Sequence, residues 1–305
     1  MTNLVLVVVC LLAGVLARQS GRLPEATPVV ATRVVIHIAL PALTLVTIHG
    51  LRLASEQWLE LGIALATPLL IFLVALVVLL GAGRALGWPR EITACLLLTT
   101  GLANTSFVGF PLIEALYGRE GLARAVLVDQ GQFLVLTTLG MVAASAGRGE
   151  GRPSLRALGR QLLLFPPFLA FVLAIALRPV ALPSLVSSVL DKLALLVVPL
   201  ALFAVGWQLR VDRQGLAEHA RPLAVGLSVR LVLAPLVVYL IVQRALGVTG
   251  LVGDVAVAEA AMAPMITGAL LAMESGLAPR LATAMVGVGV PLSLFTVPAW
   301  AWLLR

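Results

Sequence analysis

The sequence is poor in charge, in histidine and in cysteine for a chain of 305 residues. Charged residues make up 11% and hydrophobic residues 61% of it. Because a soluble domain usually has about a quarter charged residues, this composition excludes a soluble globular fold. Three histidines argue against a zinc intramembrane protease. Cys10 and Cys95 lie alone in separate apolar segments, so we interpret them as packing residues rather than a disulfide or a thiolate metal site.

Motifs that mark enzymes are missing as well. The sequence has no glycine-rich phosphate loop, no histidine pair at metal-ligand spacing, and no serine or cysteine elbow with a nearby base. We therefore predict no catalytic activity, no bound metal and no cofactor. The formal net charge of +7 does not indicate nucleic-acid binding, because the basic residues lie mostly between apolar segments, where they set membrane topology.

Long apolar segments dominate the chain instead. About 20 apolar residues are enough for one helical span, whereas a transmembrane barrel would show alternating segments of about ten. The sequence therefore predicts an all-α polytopic protein of the lipid bilayer. The ten predicted spans are 3–18, 28–50, 59–82, 91–117, 121–145, 161–178, 184–209, 221–244, 252–274 and 280–303.

Arginine placement predicts the orientation of these spans. Loops after odd-numbered spans hold twelve arginines, and the opposite side holds six. Since cytoplasmic loops are enriched in basic residues, we expect the first set to be cytoplasmic in a bacterial inner membrane, with both termini extracytoplasmic. The first set is Arg18, Arg22, Arg84, Arg90, Arg148, Arg152, Arg156, Arg160, Arg210, Arg213, Arg221 and Arg280; the second is Arg52, Arg119, Arg124, Arg178, Arg244 and Arg305.

The two halves of the chain predict an inverted repeat. The longest polar stretch, 147–160, leaves five spans on each side, and an odd number of spans per half inverts the second half. We expect a first repeat at 1–146, a basic cytoplasmic linker at 147–160 and a second repeat at 161–305. Two sequence echoes agree. PALTLVTIHGL from Pro41 resembles PLALFAVGWQL from Pro199, and FPLIEALYGREGLARA from Phe110 resembles APMITGALLAMESGLAPR from Ala263.

Two spans are interrupted at corresponding places, at 99–111 and at 259–268. Each interruption puts a helix breaker and polar groups within an apolar segment. Irregular backbone at membrane depth survives only inside protein or beside a water-filled cavity. Paired breaks in the two halves are typical of the binding site of a secondary transporter.

Side chains at the breaks are the predicted substrate ligands. Asn104, Thr105 and Ser106 precede the first break, and a half-helix after it would direct its positive dipole at an anion. The alternative is that asparagine and threonine merely cap a kinked structural helix. The predicted substrate set is Asn104, Thr105, Ser106, Gly109, Pro111, Pro264, Met265 and Thr267.

Asp129, Gln130 and Glu259 are the predicted ion-coupling residues. Asp129 and Gln132 share a helix face because they are three residues apart. Desolvation favours the neutral form of a carboxyl group, so Asp129 could carry a coupling proton; alternatively it braces neighbouring helices as a hydrogen-bonded acid. Glu259 is either a second protonatable or ion-binding group or a residue near the outer mouth.

Among the other ionisable residues inside predicted spans, where such residues normally face the protein interior, three are further candidates. Arg230 either pairs with Asp129 or Glu259, neutralises a bound anion, or extends its side chain to the cytoplasmic surface; we slightly favour the last. We interpret His37 as a packing residue and expect Glu114 to reach the outer interface.

Four stretches resemble the auxin efflux carrier family, and especially its bacterial members: GLANTSFVGFPLIEALYG, VLVDQGQF, AAMAPMITGALLAMESGL and GVGVPLSLFTVPAW. The resemblance extends over essentially the whole chain, within the bile acid/auxin-type transporter superfamily. It implies ten spans in two inverted five-helix repeats, discontinuous helices four and nine that cross, a scaffold part and a transport part that move against each other, and often a homodimer.

The resemblance also implies positions for the site. It puts 104–111 and 263–268 at the helix crossing, with Asp129 beside it. Many relatives have proline where this chain has Ala263, and Glu259 matches no position of the family pattern, so its role is not implied.

Members of this family move organic anions, including auxin in plants and malonate-like dicarboxylates in bacteria. We therefore predict a secondary carrier of a small organic anion, such as a carboxylate or an auxin-like acid, which works by alternating access and is coupled to H⁺ or Na⁺. The alternatives are a sodium-coupled organic-anion symporter of the bile-acid-transporter type, a non-transporting membrane receptor, and a channel.

Overall fold

The structure, a computed structural model, describes residues 2–51, 58–151, 153–209 and 213–304. These residues are almost entirely helical, with no strand among them. Within these described residues, six helical stretches are long and apolar enough to cross a membrane, and Val5–Ser20 and Pro166–Ala176 are shorter apolar helices. The six are Thr27–Gly50, Leu59–Leu86, Thr105–Arg148, Ser184–Gln208, Ala220–Ala245 and Pro279–Leu303. The chain is therefore an all-α integral membrane protein.

The described part of the first half has seven α-helices, and π-helical turns join several of them. They are α1 Thr2–Ser20, α2 Thr27–Val34, α3 Leu40–Gly50, α4 Trp58–Leu86, α5 Arg90–Thr100, α6 Phe110–Val135 and α7 Met141–Arg148, with π-helical turns Val35–Ala39, Thr105–Gly109 and Leu136–Gly140. Gly118 has a φ of 68° and kinks α6. The kink lies at the boundary that the sequence predicts between the spans 91–117 and 121–145. Glycine is suited to this position because it adopts a positive φ without steric cost.

Ten further helices follow in 153–209 and 213–304, the parts of the second half that the structure describes. They are α8 Leu155–Leu163, α9 Pro166–Ala176, α10 Ser184–Ala194, α11 Val197–Gln208, α12 Arg213–Glu218, α13 Ala220–Ser228, α14 Ala234–Val238, α15 Leu251–Ala260, α16 Ile266–Glu274 and α17 Pro279–Leu303, with π-helical turns Val229–Leu233 and Tyr239–Ala245. Arg52, Arg152, Arg210 and Arg305, which enter the orientation prediction, lie outside the described residues.

The helices pack as two groups. In the first group α1 packs on α11, α2 on α11, and α3 on α9 and α10. In the second, α6 packs on α4 and α15, α5 on α7 and α16, and α17 on α5, α13, α15 and α16. Fewer contacts join the groups, through α1, α3 and α11 on one side and α6 with the Thr105–Gly109 turn on the other. The boundary between the groups therefore runs beside the first break.

Glycines allow the first group its closest backbone contact. A Cβ at Gly206 of α11 would lie 2.1 Å from the carbonyl oxygen of Leu11, and one at Gly14 of α1 would lie 2.2 Å from that of Phe203. In a bilayer the hydrophobic effect does not drive helices together, because lipid is as apolar as the helix surface. Small residues at the crossing let the backbones approach closely, so that van der Waals packing holds the helices together. Arg18 extends the contact, donating from Nη1 to the carbonyls of Trp207 and Leu209 at 3.2 and 2.5 Å.

We predict that Gly206→Ala destabilises the protein by about 1–3 kcal/mol, the usual range for overpacking a tight contact. The new methyl would overlap backbone, which cannot rotate away. Gly81→Ala in α4 is the matched control, since a Cβ there has open space within 4 Å. Thermal unfolding in detergent measures the difference. Equal melting temperatures for the two variants would contradict the α1–α11 contact.

Candidate functional site

The two broken helices meet at their breaks through backbone hydrogen bonds. The N–H of Asn104 donates to the carbonyl of Ala263 at 2.9 Å, and the N–H of Met265 donates to the carbonyl of Leu102 at 3.0 Å. Ala103 and Pro264 thus form an isolated antiparallel bridge. The four segments α5, Thr105–Gly109, α15 and α16 therefore converge on one short paired element in the protein interior.

The remaining N–H of this bridge is satisfied by a side chain. Ala103 donates its N–H to Oε1 of Gln132 at 3.1 Å, and Gln132 is fully buried in α6. The position opposite is Pro264, which has no N–H to satisfy. An unpaired buried N–H costs about as much as a lost hydrogen bond. This cost is avoided at both positions of the bridge, because Pro264 has no N–H and Gln132 accepts from the N–H of Ala103.

Arg230 satisfies carbonyls at the ends of both first half-helices. Its Nε donates to Met262 O at 2.7 Å, Nη1 to Thr100 O at 3.1 Å and Nη2 to Glu259 O at 3.1 Å. The side chain is 0% exposed. The preferred interpretation from the sequence, that it reaches the cytoplasmic surface, is wrong: the freed carbonyls of two helix ends are stronger partners for a guanidinium than the distant interface.

Asn104 begins the second part of the first broken helix. Its Oδ1 accepts from the N–H of Phe107 at 3.2 Å, which is N-cap geometry. The structural alternative raised from the sequence is therefore present in the molecule. Its other side-chain atom, Nδ2, is buried and has no partner in the described structure. Capping thus uses only the oxygen and leaves a donor free.

The two hydroxyls after Asn104 hold the buried acid. Thr105 Oγ1 and Ser106 Oγ both donate to Oδ1 of Asp129 in α6. Thr105 and Asp129 are buried, while Ser106 is half-buried. Asp129 and Gln132, expected on one helix face, both reach the first break. Asp129 therefore lies beside the helix crossing with two hydroxyl donors on one of its oxygens.

Glu259 is fully buried in the last turn of α15. This burial excludes the interpretation that it lies near the outer mouth. A Cβ at Gly109 would lie 2.8 Å from its Oε2 and 2.9 Å from its Oε1, so the carboxyl group rests on the bare backbone of the Thr105–Gly109 turn. Both oxygens are unpartnered within the described structure. A glycine at 109 is required for this approach.

The other predicted residues are divided between interior and surface. Gln130 is buried, with Nε2 directed to Val126 O and Oε1 unpartnered. Met265 is half-buried at the start of α16, but Thr267, one position into that helix, is exposed. His37 is exposed rather than packed, with Nδ1 3.0 Å from Arg33 O, so the interpretation as a packing residue is wrong.

A cavity of about 750 Å³ separates the two helix groups on one side of the breaks. Phe110 and Pro111 line it, as do Leu43 and Val198 from the first group. Its charged lining residues are Glu60, Glu114, Arg119, Glu120, Arg124 and Asp191. Pro111, expected among the substrate residues, therefore lies where the cavity meets the end of the first break.

Sequence reasoning missed two contributors at the crossing. It did not foresee that Arg230 joins the half-helix ends, because the π-helical turn Val229–Leu233 that carries it has no sequence signature. It also missed Gly289 of α17, where a Cβ would lie 2.4 Å from Cδ of Pro264. The only available signal for Gly289 was the small residue itself, two positions before Pro291.

Paired broken helices, buried polar groups at their crossing and several apolar spans define an integral membrane protein of the transporter class. Comparison with known proteins agrees. The profile of the family described as "Membrane transport protein" matches residues 1–301, and the chain belongs to this family, which is of the auxin efflux carrier type.

Two archaeal proteins are similar over nearly their whole length. One, named "Uncharacterized transporter", from Methanothermobacter thermautotrophicus, is 30% identical over 300 residues, which cover 97% of this chain and 95% of the relative. The other, "Uncharacterized transporter MJ1031" from Methanocaldococcus jannaschii, is 26% identical over 315 residues, covering 100% and 98%. Neither name states a substrate.

We predict that Thr105 and Asp129 are energetically coupled. The double variant Thr105→Val with Asp129→Leu should lose less unfolding free energy than the sum of the losses in the two single variants. The difference should be about 0.5–3 kcal/mol, because each single change already breaks the same hydrogen bond. A double-mutant cycle of unfolding measurements tests this. Thr138→Val is the control, since its hydroxyl donates to Leu134 O instead. Additive effects for Thr105 would contradict the contact.

Proposed function

We propose that this protein is a secondary active carrier of a small organic anion, built from ten spans in two inverted repeats. Substrate binds at the crossing of the two broken helices, and access alternates between the two sides of the membrane. The observation that carries the proposal is the paired break, whose buried polar side chains exceed what the pairing itself uses. The family assignment supports a transporter; the substrate class and mechanism are our inference.

Matching contacts in the two halves support the inverted repeat. Arg18, at the end of α1, donates to Leu209 O at the end of α11. Arg178, which follows α9, donates to Leu51 O at the end of α3, at 2.9 Å. Leu51 and Leu209 are the last residues of the echoing segments PALTLVTIHGL and PLALFAVGWQL. Equivalent residues at opposite ends of the molecule thus make equivalent contacts, which is what a two-fold axis in the membrane plane produces.

An anionic substrate is favoured by the groups that remain free at the crossing. The Nδ2 donor of Asn104 is buried and unpartnered. The first N–H groups of α16 and of the Thr105–Gly109 turn begin helical segments, where such groups lack intrahelical partners and the dipole is positive. A carboxylate can accept from both kinds of donor. The bridge between Ala103 and Pro264 brings the starts of these two helical segments close together.

Alternating access is supported by the boundary between the helix groups. The 750 Å³ cavity lies between them and ends at Phe110 and Pro111. We assign the first group, α1–α3 with α9–α11, as the scaffold, and the second group as the part that moves. In the orientation expected from the arginines, this cavity faces the extracytoplasmic side. Closing it and opening a cavity on the other side would complete one transport step.

Asp129 and Glu259 are the proposed proton carriers. Both are buried, and Glu259 has no hydrogen-bond partner in the described structure. A buried carboxylate with no partner is far costlier than a buried carboxylic acid. We therefore infer that protons enter and leave these groups when the crossing is exposed to water, with Gln130 completing the polar cluster. A homodimer is the assembly we expect.

We predict that a carboxylate substrate raises the melting temperature of the purified protein. A ligand at a hundred times its Kd adds about 2.7 kcal/mol when it binds only the folded state. Asn104→Ala should abolish the shift, whereas Thr138→Val, outside the crossing, should retain it. No shift with any small carboxylate across a broad panel would contradict the organic-anion assignment.

Counterflow in proteoliposomes tests the mechanism. Unlabelled substrate inside the liposomes should drive saturable accumulation of labelled substrate. A receptor would not accumulate the label, and flux through a channel would not saturate. Asp129→Asn should preserve counterflow but abolish uptake driven by a pH gradient. Asp254→Asn is the control, since that half-buried acid of α15 bonds to Gln243 instead. Gradient-driven uptake that survives Asp129→Asn would contradict the proton role.

A further inference from the structure

Arg230 is an intramembrane cation that the proposed transport cycle does not use. It lies in the π-helical turn Val229–Leu233 of the second helix group and is 0% exposed. Its three hydrogen bonds all go to backbone carbonyls: Thr100 is the last residue of α5, Glu259 lies in the last turn of α15, and Met262 lies just beyond it. One cation therefore joins the C-terminal ends of both first half-helices.

The chemistry of this site is that of an alkali-metal site. In sodium-coupled carriers with broken helices, unwound backbone carbonyls and the negative ends of half-helices coordinate Na⁺. Here the same kinds of oxygen converge, and the two helix dipoles add their negative ends. The position is filled by the guanidinium group, which stays protonated in proteins.

We propose that Arg230 is a built-in replacement for a coupling sodium ion, so that the helix crossing is held together without bound Na⁺. The inference rests on the proposed function only for its consequence in transport; the cation site itself is a property of the fold. A covalently tethered cation neither binds nor dissociates during a cycle. The carrier is therefore independent of sodium, and the coupling ion must act elsewhere, at the carboxyl groups.

The geometry explains why arginine serves here rather than lysine. The guanidinium is planar and offers donors in fixed directions, and three of them reach carbonyls on two different half-helices. An ammonium group is a compact point charge on a flexible stem and would satisfy fewer of these oxygens. Trp300 holds the π-helical turn that bears Arg230, since its Nε1 donates to the carbonyl of the neighbouring residue Leu231 at 3.1 Å.

The test is chemical rescue. Arg230→Ala should remove the tethered cation and leave the carbonyls facing a cavity, so the melting temperature falls. Free guanidinium, well below denaturing concentrations, or Na⁺ should then raise it, while choline should not, because choline offers no N–H donors and is too large. Arg244→Ala is the matched control: Arg244 is exposed on the same span and contacts the ring of Tyr239. It should melt like the wild type and respond to neither cation.

The wild-type protein gives a second readout that needs no variant. Its melting temperature should be the same in sodium and choline salts at equal ionic strength, and titration with Na⁺ should show no saturable binding. A sodium-dependent rise in the wild type would overturn the proposal. So would an Arg230→Ala protein that melts like the wild type, or one that folds but gains nothing from guanidinium and Na⁺.

Arg230→Lys is a second variant that keeps the proposal testable if Arg230→Ala does not fold. It keeps the charge, so it should fold, melt between the wild type and Arg230→Ala, and remain indifferent to sodium. A sodium response in Arg230→Lys equal to that of Arg230→Ala would show that charge at this position is irrelevant and would contradict the proposal. None of these readouts uses a transported substrate. Failure to find an organic anion would therefore refute the carrier and leave the cation site intact.

Discussion

The structure depends on one constraint: two helices are broken at membrane depth, and the backbone groups freed by the breaks must find partners inside the protein. Lipid offers none, and each unsatisfied group costs several kcal/mol. The chain meets this demand by pairing the two loops with each other at Ala103 and Pro264. Gln132 accepts from the remaining N–H, and Arg230 donates to the carbonyls at the half-helix ends.

This arrangement makes the crossing a firm unit within the second helix group. Residues from α5, α6, α15, α16, α17 and the turn Val229–Leu233 contribute to it, so the backbone groups freed at the breaks have partners within the protein. Gly109 and Gly289 permit close approaches at the crossing, to Glu259 and to Pro264. A unit of this kind can move past the first helix group as one body. The proposed alternation of access requires this behaviour.

Some buried polar groups at the crossing have no hydrogen-bond partner among the described residues, and these are the candidates for binding a ligand. Asn104 Nδ2, Gln130 Oε1 and both oxygens of Glu259 are buried without partners in the described structure. In natural proteins such groups are rare, and each calls for an explanation. The proposed substrate and proton binding would provide one, because each ligand would satisfy some of these groups when it enters. Arg230 differs, since it already has its partners.

Much of this was predictable from the sequence. Apolar runs predict the spans, the two breaks predict the candidate site, and the family resemblance implies the place of the crossing. Asp129 and Gln132 follow from helical spacing. Arg230, Glu259 and His37 did not follow, because the depth and direction of a side chain depend on which helices surround it. A π-helical turn shifts that direction without any mark in the sequence, and Arg230 lies on one.

The central claim is that substrate binds at the paired breaks, and one distance tests it directly. The chain has two asparagines, Asn3 and Asn104, so ¹⁵N labelling of asparagine side chains gives a nearly unique probe. Solid-state NMR can measure dipolar coupling between this nitrogen and a ¹³C-labelled carboxylate bound to the protein in bilayers. A hydrogen bond from Asn104 Nδ2 to a carboxylate oxygen, with N and O about 2.9 Å apart, puts the labelled carbon one bond further away and predicts a measurable coupling, lost in Asn104→Ala. A saturably bound carboxylate that shows no coupling to Asn104 would contradict the account.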